Sequence, residues 1–251
     1  MPLDLNSDLG EGFGAWSMGD DAAMLDIVTS ANIACGCHAG DPSIMRRTCA
    51  LAVAKGVRIG AHVGYRDLAG FGRRAIALSP AEARDEVLYQ LGSLEGFARA
   101  AGDRVRYVKP HGALYHAAAS DRALADAVVG AMIDFGGGLA LLGPAGTALA
   151  SAAAATGIPF VGEGFADRAY TCEGTLVPRG TEGAVLHAKE AVAQAVSIAV
   201  SGTVRIADGS GSVPVAATSL CVHGDTPAAV EMARRIRETL TEAGVPIESF
   251  A

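Results

Sequence analysis

Residues 135–162 read FGGGLALLGPAGTALASAAAATGIPFVG, and none of them carries a charge. The length alone would cross a bilayer, for which about 20 apolar residues suffice. The punctuation argues against that. Gly143-Pro144 and Gly146 interrupt the run, and Gly157 and Pro159 interrupt it again. It divides into a strand (LALLG), a helix (GTALASAAAAT) and a strand (PFVGEG), which is a buried βαβ unit rather than a membrane helix.

The same rhythm runs outward in both directions. Strands are predicted at 3–8 (LDLNSD), 27–35 (IVTSANIAC), 57–62 (VRIGAH), 106–111 (RYVKPH), 139–143, 159–164 and 219–224 (SLCVHG). Helices follow most of them. Asp41-Pro42 opens one as N-cap and first helical residue, and Gly56 ends it. Ser79-Pro80-Ala81-Glu82 is a capping box for a helix running towards Gly102. Thr226-Pro227 opens the last helix, which ends near Gly244. The stretch VRIADGSGSVPV (204–215) reads as an inserted hairpin. Alternating strands and helices imply a parallel sheet covered by helices. Seven units fit a seven-stranded or incomplete (β/α) barrel as a single domain over 1–251; an open doubly wound sheet is the alternative. No GxGxxG follows a strand and no GxxxxGK[ST] is present.

Composition narrows the function. The chain has 251 residues, net charge −7 and mean hydropathy +0.30. An acidic chain does not suit a nucleic-acid backbone. Five cysteines (35, 37, 49, 172, 221) make a poor disulfide framework, and MPLDLNSDLGEG lacks a signal-peptide pattern, so a reducing cytoplasm is expected. Cys35-Gly-Cys37 has no second pair to complete a zinc site, and packing is its expected role, with the two thiols alternating in a strand.

The polar residues fall at strand ends. The first strand ends at Asn6-Ser-Asp8-Leu-Gly-Glu11, the second at Cys37-His38-Ala-Gly-Asp41, the third at His62 and the fourth at Lys109-Pro-His111. The sixth leads through Glu163 to Asp167-Arg168, and the seventh ends at His223-Gly-Asp225. Four of the six histidines are among these residues. In a closed barrel these ends meet at one mouth, the face where barrel enzymes place their chemistry. Asp41 and Asp225 also read as helix caps, His187 as solvated in a helix and His116 as a loop-rim residue. The chain has three lysines against seventeen arginines, so a lysine beside Pro110-His111 suggests a charge aimed into the site. Arg73-Arg74, Arg168 and Arg179 lie in glycine-bearing loops and suit carboxylate or phosphate.

DLNSDLGEG (4–12), SANIACGCHAGD (30–41), GAHVGYRD with FGRR (60–74), VKPHGALY (108–115), FADRAY (165–170), LVPRG (176–180) and LCVHGD (220–225) together resemble the LamB/YcsF family, in order and over nearly the whole chain. The chain departs from that pattern by inserting FGAWSM (13–18). The resemblance implies a seven-stranded barrel similar to glycoside hydrolases and sugar deacetylases. It also implies ATP-dependent opening of the lactam 5-oxoproline to glutamate, with two partner subunits, B and C. ATP would be bound mainly by those partners, since this chain carries no nucleotide cradle.

The expected roles follow. Asp8 is the leading general base and Glu11 the second; His38, His62 and His223 move protons or orient the base; Lys109 and His111 stabilise an oxyanion or phosphate. Asn6, Arg73 and Arg179 contact substrate, and Asp167 and Arg168 form a pair, with Arg168 meeting the substrate carboxylate. Two alternatives stay open. One is a metal-dependent deacetylase or amidohydrolase, with Asp8, His38 and His62 as ligands. The other is a non-catalytic ligand-binding subunit.

Overall fold

The computed structural model describes residues 2–224 and 227–251. Its strands are β1 (Asp4–Leu9), β2 (Ser30–Ala34), β3 (Arg58–Val63), β4 (Tyr107–Pro110), β5 (Ala140–Gly143), β6 (Phe160–Phe165), β7 (Thr203–Arg205), β8 (Ser212–Pro214) and β9 (Ser219–Cys221). Seven of them are parallel and close into a barrel in the order β1, β2, β3, β4, β5, β6, β9. The strand β9 pairs with β1 on one side (Asn6 opposite Cys221) and β6 on the other (Phe165 opposite Cys221). The open sheet is therefore excluded. The inserted hairpin is β7 against β8. Among the described residues no helix is long and apolar enough to cross a membrane.

The helices are α1 (Asp21–Met24), α2 (Pro42–Ala54), α3 (Pro80–Ala100), α4 (Gly112–Ser120), α5 (Arg122–Phe135), α6 (Ala148–Thr156), α7 (Ala188–Ser201) and α8 (Pro227–Glu242). The uncharged run becomes β5, α6 and β6; Gly157 ends the helix in the left-handed region at φ 75°. Asp41 caps α2 by accepting from the amides of Ser43 and Ile44, and Ser79 with Glu82 forms the full capping box of α3. The cap expected at Thr226 and the side chain of Asp225 lie outside the described residues.

Three local features differ from expectation. The strand β2 begins at Ser30, because α1, capped by Asp20, takes the chain just ahead of Ile27 and Val28. Cys35 and Cys37 both lie past the end of β2, with Cys37 in a bend, rather than alternating along the strand. After β4 there are two helices, because Asp121 accepts from the amides of Ala123 and Leu124 and starts α5 afresh.

The barrel interior is polar. Asp4 accepts from Ser30 at 2.6 Å; Asn6 donates to Ser219 at 2.7 Å and accepts from Asn32 at 2.8 Å. Tyr107 crosses the lumen and donates to Asn32 Oδ1 at 2.7 Å. Its ring is the reason position 60 is glycine: a Cβ there would stand 2.1 Å from a ring carbon. The apolar core lies mainly between strands and helices, where Ile33, Ile59, Leu91, Leu94 and Leu141 are fully buried. This network of mutually satisfied polar groups fixes the height and direction of the side chains above it.

Candidate active site

Strand register assembles the site. Asp8 lies opposite Asn32, Ala34 opposite His62, and His62 opposite Lys109. The mouth holds a small cavity that opens to solvent; its walls include Asp8, Glu11, His62, Lys109, His111 and His223.

Lys109 is the centre. Its Nζ is 2.9 Å from Asp8 Oδ1 and 2.7 Å from Glu163 Oε1, and it donates to Asn6 Oδ1 at 3.2 Å and Cys221 Sγ at 3.3 Å. Burial works against its charge, but Asp8 first, then Cys221 and Glu163, raise its pKa well above the ordinary lysine value. It is a fixed cation, suited to a developing negative charge and unsuited to act as a base. Burial likewise opposes ionised Asp8, yet His62 and Lys109 hold its carboxyl well below the usual range. Glu163, to which the sequence assigns a strand but no role, accepts from Tyr115 at 2.9 Å. It does leave a signal in the sequence: it is the lone charge in an otherwise apolar strand, in a chain with few lysines to pair it.

One wall, from β6 and the end of β9, is fully paired. His223 Nδ1 meets Asp167 Oδ2 at 2.7 Å, and Arg179 donates to His223 Nε2 at 2.6 Å. Burial disfavours the His223 imidazolium, but Asp167 outweighs burial and Arg179, and the pKa is raised. For Asp167 itself burial opposes the charge and His223 overcomes it, so its pKa is lowered. An arginine only donates, so with Arg179 in place His223 Nε2 carries no proton; protonation requires Arg179 to move away.

The other wall, from β2, β3 and β4, is built of histidines. His62 Nδ1 faces the Lys109 carbonyl at 3.1 Å, and His111 Nε2 faces the Phe71 carbonyl at 2.8 Å. Phe71 is held at φ 53°, the one non-glycine residue at positive φ among those described, and this turns its carbonyl towards His111. His62 Nε2 and His111 Nδ1 stand 3.0 Å apart. His38 is fully buried and stacks on His111, with centroids 3.8 Å apart. Burial first, then neighbouring histidine charge, pushes the pKa values of His38 and His111 well down, and burial raises that of Glu11.

Several expected placements change. Asn6 is fully buried and is not among the cavity walls; it accepts from Lys109 at 3.2 Å. Asp167 pairs with His223 and not with Arg168, whose guanidinium donates to the carbonyls of Val177 (2.6 Å) and Ala184 (3.3 Å). Arg168 and Arg179 still border the cavity, as does Arg73, which lies over the Phe71 ring. His116 is on α4 rather than a loop, and exposed His187 is the N-cap residue of α7. The expected metal set is not the one that converges: Glu11, His38, His62 and His111 offer ligand atoms within 4.8 Å of one another, whereas Asp8 groups with Cys221 and His223. All five cysteines are free. Burial drives the Cys35 thiol well up and Cys37 to about 11, which fits packing and not redox chemistry. Within residues 13–18, Met18 reaches the cavity wall and Trp16 is 57% exposed.

The chain is 72% identical over 250 residues to a protein of Nocardia farcinica named as the A subunit of 5-oxoprolinase, with each chain covered in full. It is 58% identical to the protein of the same name from Streptomyces griseus, over 99% of this chain and 100% of that one. The lactam utilization protein from Thermus thermophilus superimposes with a TM-score of 0.93 at 44% identity, covering both chains completely. The catalytic domain of a peptidoglycan N-acetylglucosamine deacetylase from Eubacterium rectale shares the fold alone, with a TM-score of 0.50 and 11% identity over 99% of this chain and 87% of that one. The model of the LamB/YcsF family matches residues 3–251, and the chain belongs to that family.

Proposed function

We propose that this chain is the ring-opening component of a 5-oxoprolinase, working in the cytoplasm on a lactam that partner subunits B and C have first activated with ATP. The observation that carries the reading is full-length likeness to proteins named as the A subunit of 5-oxoprolinase, joined to a cavity with a fixed cation between two carboxylates. A five-membered lactam resists water because its amide is resonance-stabilised. Phosphorylation of the amide oxygen removes that resistance and leaves an anionic, short-lived substrate.

In this reading the activated ring sits over Lys109. Asp8 takes a proton from the attacking water. Its low basicity means that it acts late, once attack on the activated carbon has made the water acidic. Lys109 stabilises the oxygen on which charge develops. The anionic group of the substrate draws Arg179 towards it, which frees His223 Nε2 to take a proton from solvent; His223, held by Asp167, then protonates the ring nitrogen as the C–N bond breaks, leaving the acyl phosphate of glutamate, from which a second water releases inorganic phosphate. Arg73 and Arg168 border the same anionic side. The deacetylase alternative draws on a likeness that carries the fold alone.

The test is reconstitution. Glutamate formation and ATP consumption are measured with this chain alone, with subunits B and C alone, and with all three. The reading expects ATP-coupled glutamate formation only in the full mixture. Full ATP-dependent turnover by this chain alone, or by the partners without it, would sink it.

A further inference from the structure

We propose that His62, His111 and Glu11 form a binding site for a divalent transition-metal ion, with zinc the best match to the donor set and His38 on the wall behind it. The carbonyls place the protons. A carbonyl oxygen only accepts, so the nitrogens facing it, His62 Nδ1 and His111 Nε2, both carry hydrogens. In the neutral rings His62 Nε2 and His111 Nδ1 are then both bare lone pairs, yet they face each other at 3.0 Å. Asp8 Oδ2 stands 3.3 Å from the same His62 nitrogen. Glu11 Oε1 is 3.5 Å from His111 Nδ1, 3.8 Å from His62 Nε2 and 3.6 Å from His38 Nε2. Acceptors converge on a point that only a cation can occupy.

A shared proton repairs one of these contacts. It leaves Glu11 Oε1 buried with no hydrogen-bond partner among the described residues. A metal ion satisfies more of them at once. Donors bound tetrahedrally to zinc at roughly 2.0–2.1 Å lie about 3.3–3.4 Å apart. The His62–His111, Glu11–His111 and Glu11–His62 separations of 3.0, 3.5 and 3.8 Å bracket that edge. The outer nitrogens donating to backbone carbonyls are the arrangement by which metal-bound imidazoles are usually oriented. Two imidazoles and a carboxylate suit zinc. Because the His38 and His111 rings lie 6° from parallel, their in-plane lone pairs do not share a focus, so His38 is not counted as a ligand. Glu11, His62 and His111 all border the cavity, which leaves the fourth position facing it.

The site stands apart from the lactam reading, since its readout is metal content. The full chain, without an affinity tag, is stripped with a chelator, checked for fold by circular dichroism, and titrated with Zn²⁺ and separately with Co²⁺. One equivalent should bind saturably, and Co²⁺ should give visible ligand-field bands. His111→Ala should abolish binding, and Glu11→Gln should weaken it by roughly 100-fold or more, beyond what loss of an outer partner costs. Asp8→Asn should still bind one equivalent. If His111→Ala does not fold, Glu11→Gln decides. The proposal is overturned if the stripped, folded chain shows no saturable binding. It is equally overturned if Glu11→Gln binds as the parent does, or if Asp8→Asn is the variant that loses the ion.

Discussion

The two walls of the mouth use the same residue type in opposite ways. On the wall formed by β6 and β9, His223 has each ring nitrogen paired, one to Asp167 and one to Arg179. On the wall formed by β2 to β4, three histidines crowd Glu11, and His38 has no hydrogen-bond partner at either nitrogen among the described residues. A fully partnered imidazole has a defined tautomer and can exchange one proton when one partner leaves. A cluster of facing lone pairs is stable only around a cation. His223 is half-buried beside an exposed Arg179, whereas His38, His62 and His111 are buried, and the groups standing behind each ring set the difference in pairing.

The sharpest way to break this comparison is to remove the group between the walls. Asp8→Ala should lower turnover of the reconstituted complex by roughly 10³–10⁴-fold, the upper range for a lost acid–base group, while the fold persists because Lys109 keeps Glu163. Steady-state glutamate formation with a parallel melting curve checks it; near-normal turnover would remove Asp8 from the reaction.

On the paired wall, Asp167→Asn should cost about 10²-fold in turnover and change the pH response. The raised pKa of His223 means that its partner stabilises the folded chain fully below the unfolded histidine value of about 6.5. That stability is lost as pH rises through the folded pKa. Melting temperature should therefore show a fall across that window in the parent that is absent in Asp167→Asn. Arg179→Ala should move the fall to higher pH, since Arg179 opposes the imidazolium.

Glu163→Gln is a milder cut, because Lys109 retains Asp8. A loss of roughly 10-fold in kcat with little change in KM is expected, the pattern of a group that positions the cation. The smallest effect belongs away from both walls. Asp41→Ala removes the cap of α2 and should cost about 1 kcal/mol of stability, read as a lower melting temperature with kcat unchanged.

Strand ends and glycine breaks make the seven strands and the mouth legible in the sequence, and the capping residues of α2 and α3 stand out by chemistry alone. Side-chain direction is not legible. Asn6 sits two residues before Asp8 on the same face of β1, and nothing local says that one lies outside the cavity walls while the other lines the cavity. The expected Asp167–Arg168 pair does not form because the Val177 and Ala184 carbonyls take the Arg168 guanidinium, while His223, distant in sequence, lies across the β6–β9 seam and takes Asp167. The expected metal ligands differ from the convergent set for a similar cause. Which nitrogens face one another depends on the Lys109 and Phe71 carbonyls, and a string of letters does not record carbonyl directions.

The pairing of β9 with β1 also sets the order of events during synthesis. Asp4 and its neighbour Ser219 lie 215 residues apart in the chain, so β1 leaves the ribosome long before its second partner. Until β9 emerges, the first six strands have two open edges, and the uncharged stretch around α6 has already been made. The nascent chain therefore passes through an interval in which an unclosed sheet and a long apolar run coexist, the state in which edge pairing and aggregation compete with folding. Closure over so long a loop is slow. A ribosome stalled before residue 219 would hold a chain that has Asp8, Lys109 and Glu163 but no seam to bring them round one mouth.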